Sequence, residues 1–222
     1  MLKKNKISIL RFLCQTLYLV LFISSILSRN LMFIFITITA IILGPIFCGW
    51  MCFVGFYQDC IRYLGKFIKK DPIEINEKIH KYLKFSRYIL LIGAIAIGGI
   101  FLFPGQVWHN FSRMIKGHII VDITLYAILF LGIISLFTTR FFCRYCCTFG
   151  AKLGLYSLLR IITINRNDSC ISCKQCSKEC PMHIKVDKIN SLVNPNCINC
   201  LKCVEICPQK CLEIGLRNYG KP

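Results

Sequence analysis

The chain has 222 residues, 55% of them hydrophobic, and a mean hydropathy of +0.59, far above that of a soluble domain. Its formal net charge of +18 invites a nucleic-acid reading. No aromatic-interleaved basic motif accompanies that charge, and its distribution along the chain argues for another cause, so nucleic acid is excluded as a partner.

Lys3, Lys4, Lys6 and Arg11 make a basic start, and an uncharged run follows from Phe12 to Ser28. The stretch Ser25-Ile26-Leu27-Ser28-Arg29 lacks a small-residue cleavage site and leads straight into another apolar run. It therefore reads as an uncleaved helix rather than a signal peptide. The second uncharged run is Asn30 to Gln58, the third Tyr88 to Asn110, and the fourth Ile123 to Thr139, which Ile119 to Val121 extend. Each is about long enough to cross a hydrocarbon core of ~30 Å at ~1.5 Å per residue. The expectation is four transmembrane helices. Of the 28 Lys and Arg residues, only Arg29, Arg113 and Lys116 fall outside the N-terminal segment, the stretch from Arg62 to Arg87 and the stretch from Arg140 to Lys221. Positive residues stay on the cytoplasmic side. The expected location is thus the plasma membrane, multi-pass, in contact with lipid and with both termini cytoplasmic.

Two of these runs end alike. Phe47-Cys48-Gly49-Trp50-Met51-Cys52-Phe53-Val54-Gly55 and Phe142-Cys143-Arg144-Tyr145-Cys146-Cys147-Thr148-Phe149-Gly150 both read F-C-x-[W/Y]-x-C-x-x-G. Each precedes an interfacial-looking stretch, Phe56 to Lys70 or Ala151 to Ile164. Helices 1–2 and 3–4 therefore read as two parallel repeats about an axis along the membrane normal. Cysteines at i and i+4 share a helix face. Cys48, Cys52, Cys143 and Cys147 could then meet at one point, as a tetrahedral iron–sulfur or zinc site requires. Small apolar side chains at helix ends are the alternative. Trp50 and Tyr145 suit an interfacial aromatic belt.

The last quarter carries the strongest signal. Cys170, Cys173, Cys176 and Cys180 are followed by Pro181; Cys197, Cys200, Cys203 and Cys207 are followed by Pro208. Each block reads C-x2-C-x2-C-x3-C-P, the spacing of a bacterial two-cluster ferredoxin, in which the fourth cysteine ligates the other cluster. Zinc ribbons use pairs of C-x2-C instead, and a disulfide framework would need an oxidising compartment. Two [4Fe–4S] clusters are expected. Cys14, Cys60, Cys146 and Cys211 read as packing residues. His109, His118 and Asp122, in the outer loop, could accept protons from a quinol, although a solvated loop histidine is commoner. There is no C-x-x-C-H for haem, and no G-x-G-x-x-G or G-x-x-x-x-G-K for a nucleotide.

The expected architecture is an α-helical membrane domain over 1–165, with four transmembrane helices in two parallel-repeat pairs. A small α+β ferredoxin domain with two [4Fe–4S] clusters follows over 166–222. This order, with its two C-x3-C motifs and terminal ferredoxin, resembles the NapH-type membrane ferredoxins, quinol-dehydrogenase subunits of periplasmic nitrate reductase systems. Where that family usually has a proline after the second cysteine of each motif, this chain has Phe53 and Thr148. The resemblance implies electron transfer between a membrane quinone/quinol pool and other redox protein subunits, through an electron-transfer subunit rather than a stand-alone enzyme. On this reading Cys170, Cys173, Cys176 and Cys207 hold one cluster, and Cys197, Cys200, Cys203 and Cys180 the other. A redox-sensing or maturation factor for a partner metalloenzyme is the second hypothesis, and a zinc-binding membrane protein the third.

Overall fold

The computed structural model describes residues 6–23, 29–68, 77–96 and 123–217. The chain divides into two compact units, Met1–Phe53 with Leu153–Pro222, and Val54–Lys152.

The first unit opens with helices α1 (Lys6–Ile23), α2 (Arg29–Ile42) and α3 (Ile46–Trp50). Gly44 and Pro45 end α2. Gly44 takes a φ of +85°, which suits a residue without Cβ, and its N–H still bonds Ala40 O at 3.1 Å. Pro45 has no N–H to continue the ladder. α1 packs on α3: the rings of Tyr18 and Phe47 meet edge to face at 5.8 Å, and the buried Gln15 donates from Nε2 to Gly49 O at 3.2 Å.

The same unit contains strand β1 (Ile162–Arg166) and strand β2 (Leu212–Leu216), paired antiparallel with Ile162 opposite Leu216 and Arg166 opposite Leu212. Between the strands run two cysteine loops and two short helices, Gln175–Lys178 and Lys202–Ile206. Ile164, Met182, Ile184, Val186, Leu192 and Leu212 form the small core beneath them. Glu205 ties this segment to α1. Its carboxylate accepts the N–H groups of Ile7 and Ser8 at 2.8 and 3.1 Å and the Ser8 hydroxyl at 2.5 Å. A carboxylate there satisfies orphan donors of a helix N-terminus and meets the positive end of its dipole.

The second unit holds α4 (Phe53–Ile68, of which Phe53 belongs to the first unit), α5 (Glu77–Ala96), α6 (Ile123–Phe137), α7 (Phe141–Tyr145) and α8 (Thr148–Tyr156, which runs on into the first unit). Arginines hold it together. Arg140 grips Asp59 with two bonds, Nε to Oδ1 at 3.0 Å and Nη2 to Oδ2 at 2.6 Å. Arg62 donates from Nη1 to Leu136 O at 2.6 Å. Tyr145 is bonded from α5 twice, by His80 Nδ1 to its hydroxyl at 2.8 Å and by the Ser86 hydroxyl to its carbonyl at 2.6 Å. In chain order the two short helices of the cysteine loops are α9 (Gln175–Lys178) and α10 (Lys202–Ile206).

The expected fold of four transmembrane helices in two parallel-repeat pairs does not hold. Among the described residues no single helix is long and apolar enough to cross a membrane. The reasons are local. The second apolar run is cut at Gly44–Pro45 and again at Met51–Cys52, and Ile34–Ile42 with Ile46–Gly65 reach the required length only across a sharp bend. The fourth run forms α6, whose 15 residues reach only about 22 Å. α1 includes Lys6, Arg11 and Gln15 among its 18 residues. α5 has 20 residues but carries Glu77, Lys78, Lys81, Lys84 and Arg87 in its first half. The rest of the third run, 97–110, lies outside the described residues, as do His109, His118 and Asp122.

What does repeat is the motif itself. The Phe47 carbonyl accepts the N–H groups of Met51 and Cys52 at 2.9 and 2.8 Å; the Phe142 carbonyl accepts those of Cys146 and Cys147, both at 2.9 Å. Each motif is thus a single helical turn closed on a phenylalanine carbonyl, with a further helix beginning directly after its second cysteine.

Candidate functional site

The two C-terminal cysteine blocks fold as copies of one another. Ser172 and Lys174 in the first block, and Asn199 and Leu201 in the second, all lie at positive φ between 51° and 60°. His183 and Lys210, three residues after Cys180 and Cys207, both have φ 51°. Alternating handedness of this kind curls the backbone so that successive N–H groups point inward, toward an anion. His183 and Lys210 N–H groups bond the Cys180 and Cys207 carbonyls at 3.0 and 3.3 Å, closing equivalent turns.

The first site is an open cavity whose lining includes Cys170, Cys173, Cys176 and Cys207, with Arg166 and Cys211. The first three come from one block and the fourth from the other. Cys173 is exposed and Cys176 buried. The Ser172 N–H pulls the Cys170 thiol below its ordinary range, against the opposing effect of burial, and Cys211 and Arg166 add to the pull.

The second site gathers Cys197, Cys200, Cys203 and Cys180. The first three are buried. Burial pushes the Cys203 thiol up, and the charges of Cys200, Cys197 and Cys180 push it further. Cys180 is raised to about 12, by burial first and then by Cys200. Four thiols this close cannot ionise together without a cation among them, and a bound metal supplies that charge. Arg160 contributes part of it. Burial pushes the Cys197 thiol up, and Arg160, itself 1% exposed, stands against it and offsets part of that rise, while the Arg160 Nε finds no acceptor among the described residues.

The donor sets are all thiolate, which suits zinc or iron–sulfur chemistry. None of the sixteen cysteines is in a disulfide. Among the described residues no three Cys, His, Asp or Glu side chains are gathered as ligands of a single ion. A cavity rimmed by thiols fits a polynuclear cluster, whose ligands stand apart at its corners.

The four cysteines of the helical motifs are divided. Cys48 and Cys52 belong to the first unit, Cys143 and Cys147 to the second. In the second unit the fully buried Gln58 donates from Nε2 to Cys143 Sγ at 3.3 Å and accepts the Phe142 N–H at 3.2 Å. The Gly150 N–H donates to Cys147 Sγ at 3.2 Å. In the first unit Trp50 donates its indole N–H to Asn199 O at 3.0 Å, inside the second cysteine block. Sequence reasoning placed Trp50 in an interfacial belt and missed this contact.

Cys211 packs in the core, as expected of it, and has a second setting that the sequence reading did not give. Cys211 is buried with its Sγ 3.4 Å from that of Cys207, on the wall of the first site. The signal was present in the repeat: four residues after the last cysteine of each block stand Ile184 and Cys211. Arg160 and Arg166 gave no such signal, because each is one among many basic residues of the C-terminal segment.

A 4Fe-4S binding domain model matches residues 26–71 and 123–163, the segments that contain both helical motifs. A 4Fe-4S dicluster domain model matches residues 162–208. An uncharacterized protein of Methanocaldococcus jannaschii, MJ0750, is 30% identical over 82% of this chain and 85% of its own. The putative electron transport protein YccM of Escherichia coli is 33% identical over 68% of this chain, which spans 45% of that longer protein. The ferredoxin-type protein NapH of Haemophilus influenzae is 26% identical over 64% of this chain and 49% of its own. No solved structure matches. The chain belongs to one family with the archaeal MJ0750 protein, and in it a 4Fe-4S binding domain in two segments leads into a 4Fe-4S dicluster domain.

Proposed function

We propose that the chain is a membrane-associated iron–sulfur electron carrier that passes electrons between a quinol pool and a redox protein partner. The observation that carries the reading is the pair of all-thiol sites side by side in one compact segment. Cys170, Cys173, Cys176 and Cys207 would hold one [4Fe–4S] cluster, and Cys197, Cys200, Cys203 and Cys180 the other. Such clusters accept and release one electron at a time, at potentials set by hydrogen bonds to sulfur, net charge and exposure. The backbone N–H groups of the curled loops stabilise the anionic thiolates. Arg160 and Arg166 add positive charge at the first cysteine of each set.

Two findings support the redox and membrane parts. The relatives include proteins named for electron transport and as a ferredoxin-type protein. Large apolar side chains stand in the open on several helices, among them Leu17 (61% exposed) in α1, Ile95 (70%) in α5 and Phe130 (61%) in α6. Exposed apolar surface on this scale marks a lipid or protein contact.

The test is direct. The protein is purified anaerobically, placed in lipid vesicles and mixed with a menaquinol analogue while the clusters are followed by absorbance and EPR. Rapid reduction is expected. Intact clusters that the quinol never reduces would sink the relay and favour a sensing or maturation role.

A further inference from the structure

The two thiol sites are built alike but placed differently. The second site is seated on the helical C-x3-C motif of its own unit. A Cβ on Gly49 would lie 2.5 Å from Ile198 O and 3.3 Å from the backbone of Cys200, so α3 touches the loop that carries a ligand. Trp50 donates to Asn199 O at 3.0 Å, one residue before Cys200, and Asn199 Nδ2 donates back to Leu43 O at 2.7 Å, just ahead of α3. Gln15 holds Gly49 from the other side. Three of the four cysteines here are buried, and so is the guanidinium of Arg160. The first site is tied to the helices beside one ligand, where Glu205, two residues before Cys207, accepts from Ile7 and Ser8 of α1, but only one of its four cysteines is buried. Its lining runs through the exposed stretch Ile171, Ser172, Cys173 and Lys174 and the exposed pair Pro208 and Gln209.

We propose that the two sites work in a fixed order, the second as an inner station reached through α3 and the first as the port that meets soluble redox species. The inference rests on the iron–sulfur reading above. Each transfer moves one electron: the site that gives it is oxidised by one unit, its neighbour is reduced by one, and no bond forms or breaks. Gly49 and Trp50 act as positioning residues for the inner station. Gly49 lets the α3 backbone reach Cys200, and Trp50 fixes the carbonyl between Cys197 and Cys200. Hydrogen bonding and exposure set cluster potentials, so both residues should act on one site only.

The experiment uses the full chain, loaded anaerobically and poised so that about one electron per chain is present. The two EPR signals are assigned with ligand variants: Cys170→Ser and Cys207→Ser should alter one, Cys180→Ser and Cys197→Ser the other. A water-soluble relaxing agent, the dysprosium–EDTA chelate, is then added. The first-site signal should relax severalfold faster, and the second should change far less. Trp50→Phe keeps an aromatic but loses the indole donor. It should shift the midpoint potential of the second site and leave the first in place. Equal relaxation of both signals, or a Trp50→Phe shift confined to the first site or absent from both, overturns the order. A full chain with no iron–sulfur signal at all would instead bring down the functional reading, and this order with it.

Discussion

A cysteine means different things according to what surrounds it. Cys211 and Ile184 occupy equivalent places in the two blocks, both buried, yet only Cys211 brings sulfur to a site wall. The four thiols of Cys170, Cys173, Cys176 and Cys207 remain without it, so Cys211→Ala should leave the iron and sulfide content of the purified protein unchanged. It should cost about 1 kcal/mol of stability, the usual size of a buried truncation, read from denaturant unfolding of the iron-free chain. The thiol environments make a second prediction. At the second site Cys180, Cys197 and Cys203 are all pushed above their ordinary range, whereas at the first site burial raises Cys176 but Cys170 is pulled below the ordinary range. Iron must displace the protons that raised thiols retain, so acid opposes loading and alkali favours it. Reconstitution with iron and sulfide should therefore decline as pH falls from about 9 to 7, and the second-site EPR signal should decline more steeply than the first. Equal pH profiles would show that the thiol environments do not govern loading.

At the scale of elements, the decisive pieces are short. α3 has five residues and α10 five, and neither is stable alone. They persist because the chain closes on them: Glu205 in α10 caps α1, Gln15 in α1 holds α3, and Trp50 in α3 holds the second cysteine block. Gly49 is the closest approach in this circuit. Any side chain there meets a backbone oxygen, not a flexible side chain. Gly49→Ala should destabilise the protein by about 1–3 kcal/mol, measured by urea unfolding. A change within experimental error would mean that α3 and the loop separate easily in solution. Helix length explains the failed expectation of membrane spans. A count of uncharged residues ignores the Gly44–Pro45 break and the left-handed Arg140, which end α2 and mark the approach to α7.

For the whole molecule, the proposal of a membrane location rests on exposed apolar side chains and on a net charge of +18. These two attractions respond differently to salt. Charge attraction to anionic lipid is screened within about 10 Å at 0.1 M salt, whereas apolar contact is not. The chain should stay with the membrane fraction through a high-salt wash and leave it only with detergent. Release by salt alone would reassign the apolar faces to protein partners.

The sequence by itself marked the C-terminal segment as a 4Fe-4S domain. Spacing of C-x2-C-x2-C-x3-C-P is a local property, because three thiols on one tight loop need no distant partner to be read. The internal repeat F-C-x-[W/Y]-x-C was legible for the same reason, whereas the closure of both copies on the Phe47 and Phe142 carbonyls is seen only in the structure. Only the tertiary structure decided what lies across the chain. Ile7 and Ser8 are nearly 200 residues from Glu205, and Trp50 is 149 from Asn199. Neither pairing leaves a pattern in composition or periodicity. They arise because orphan helix donors, a buried guanidinium and a glycine without Cβ are satisfied only by whatever the fold happens to bring against them.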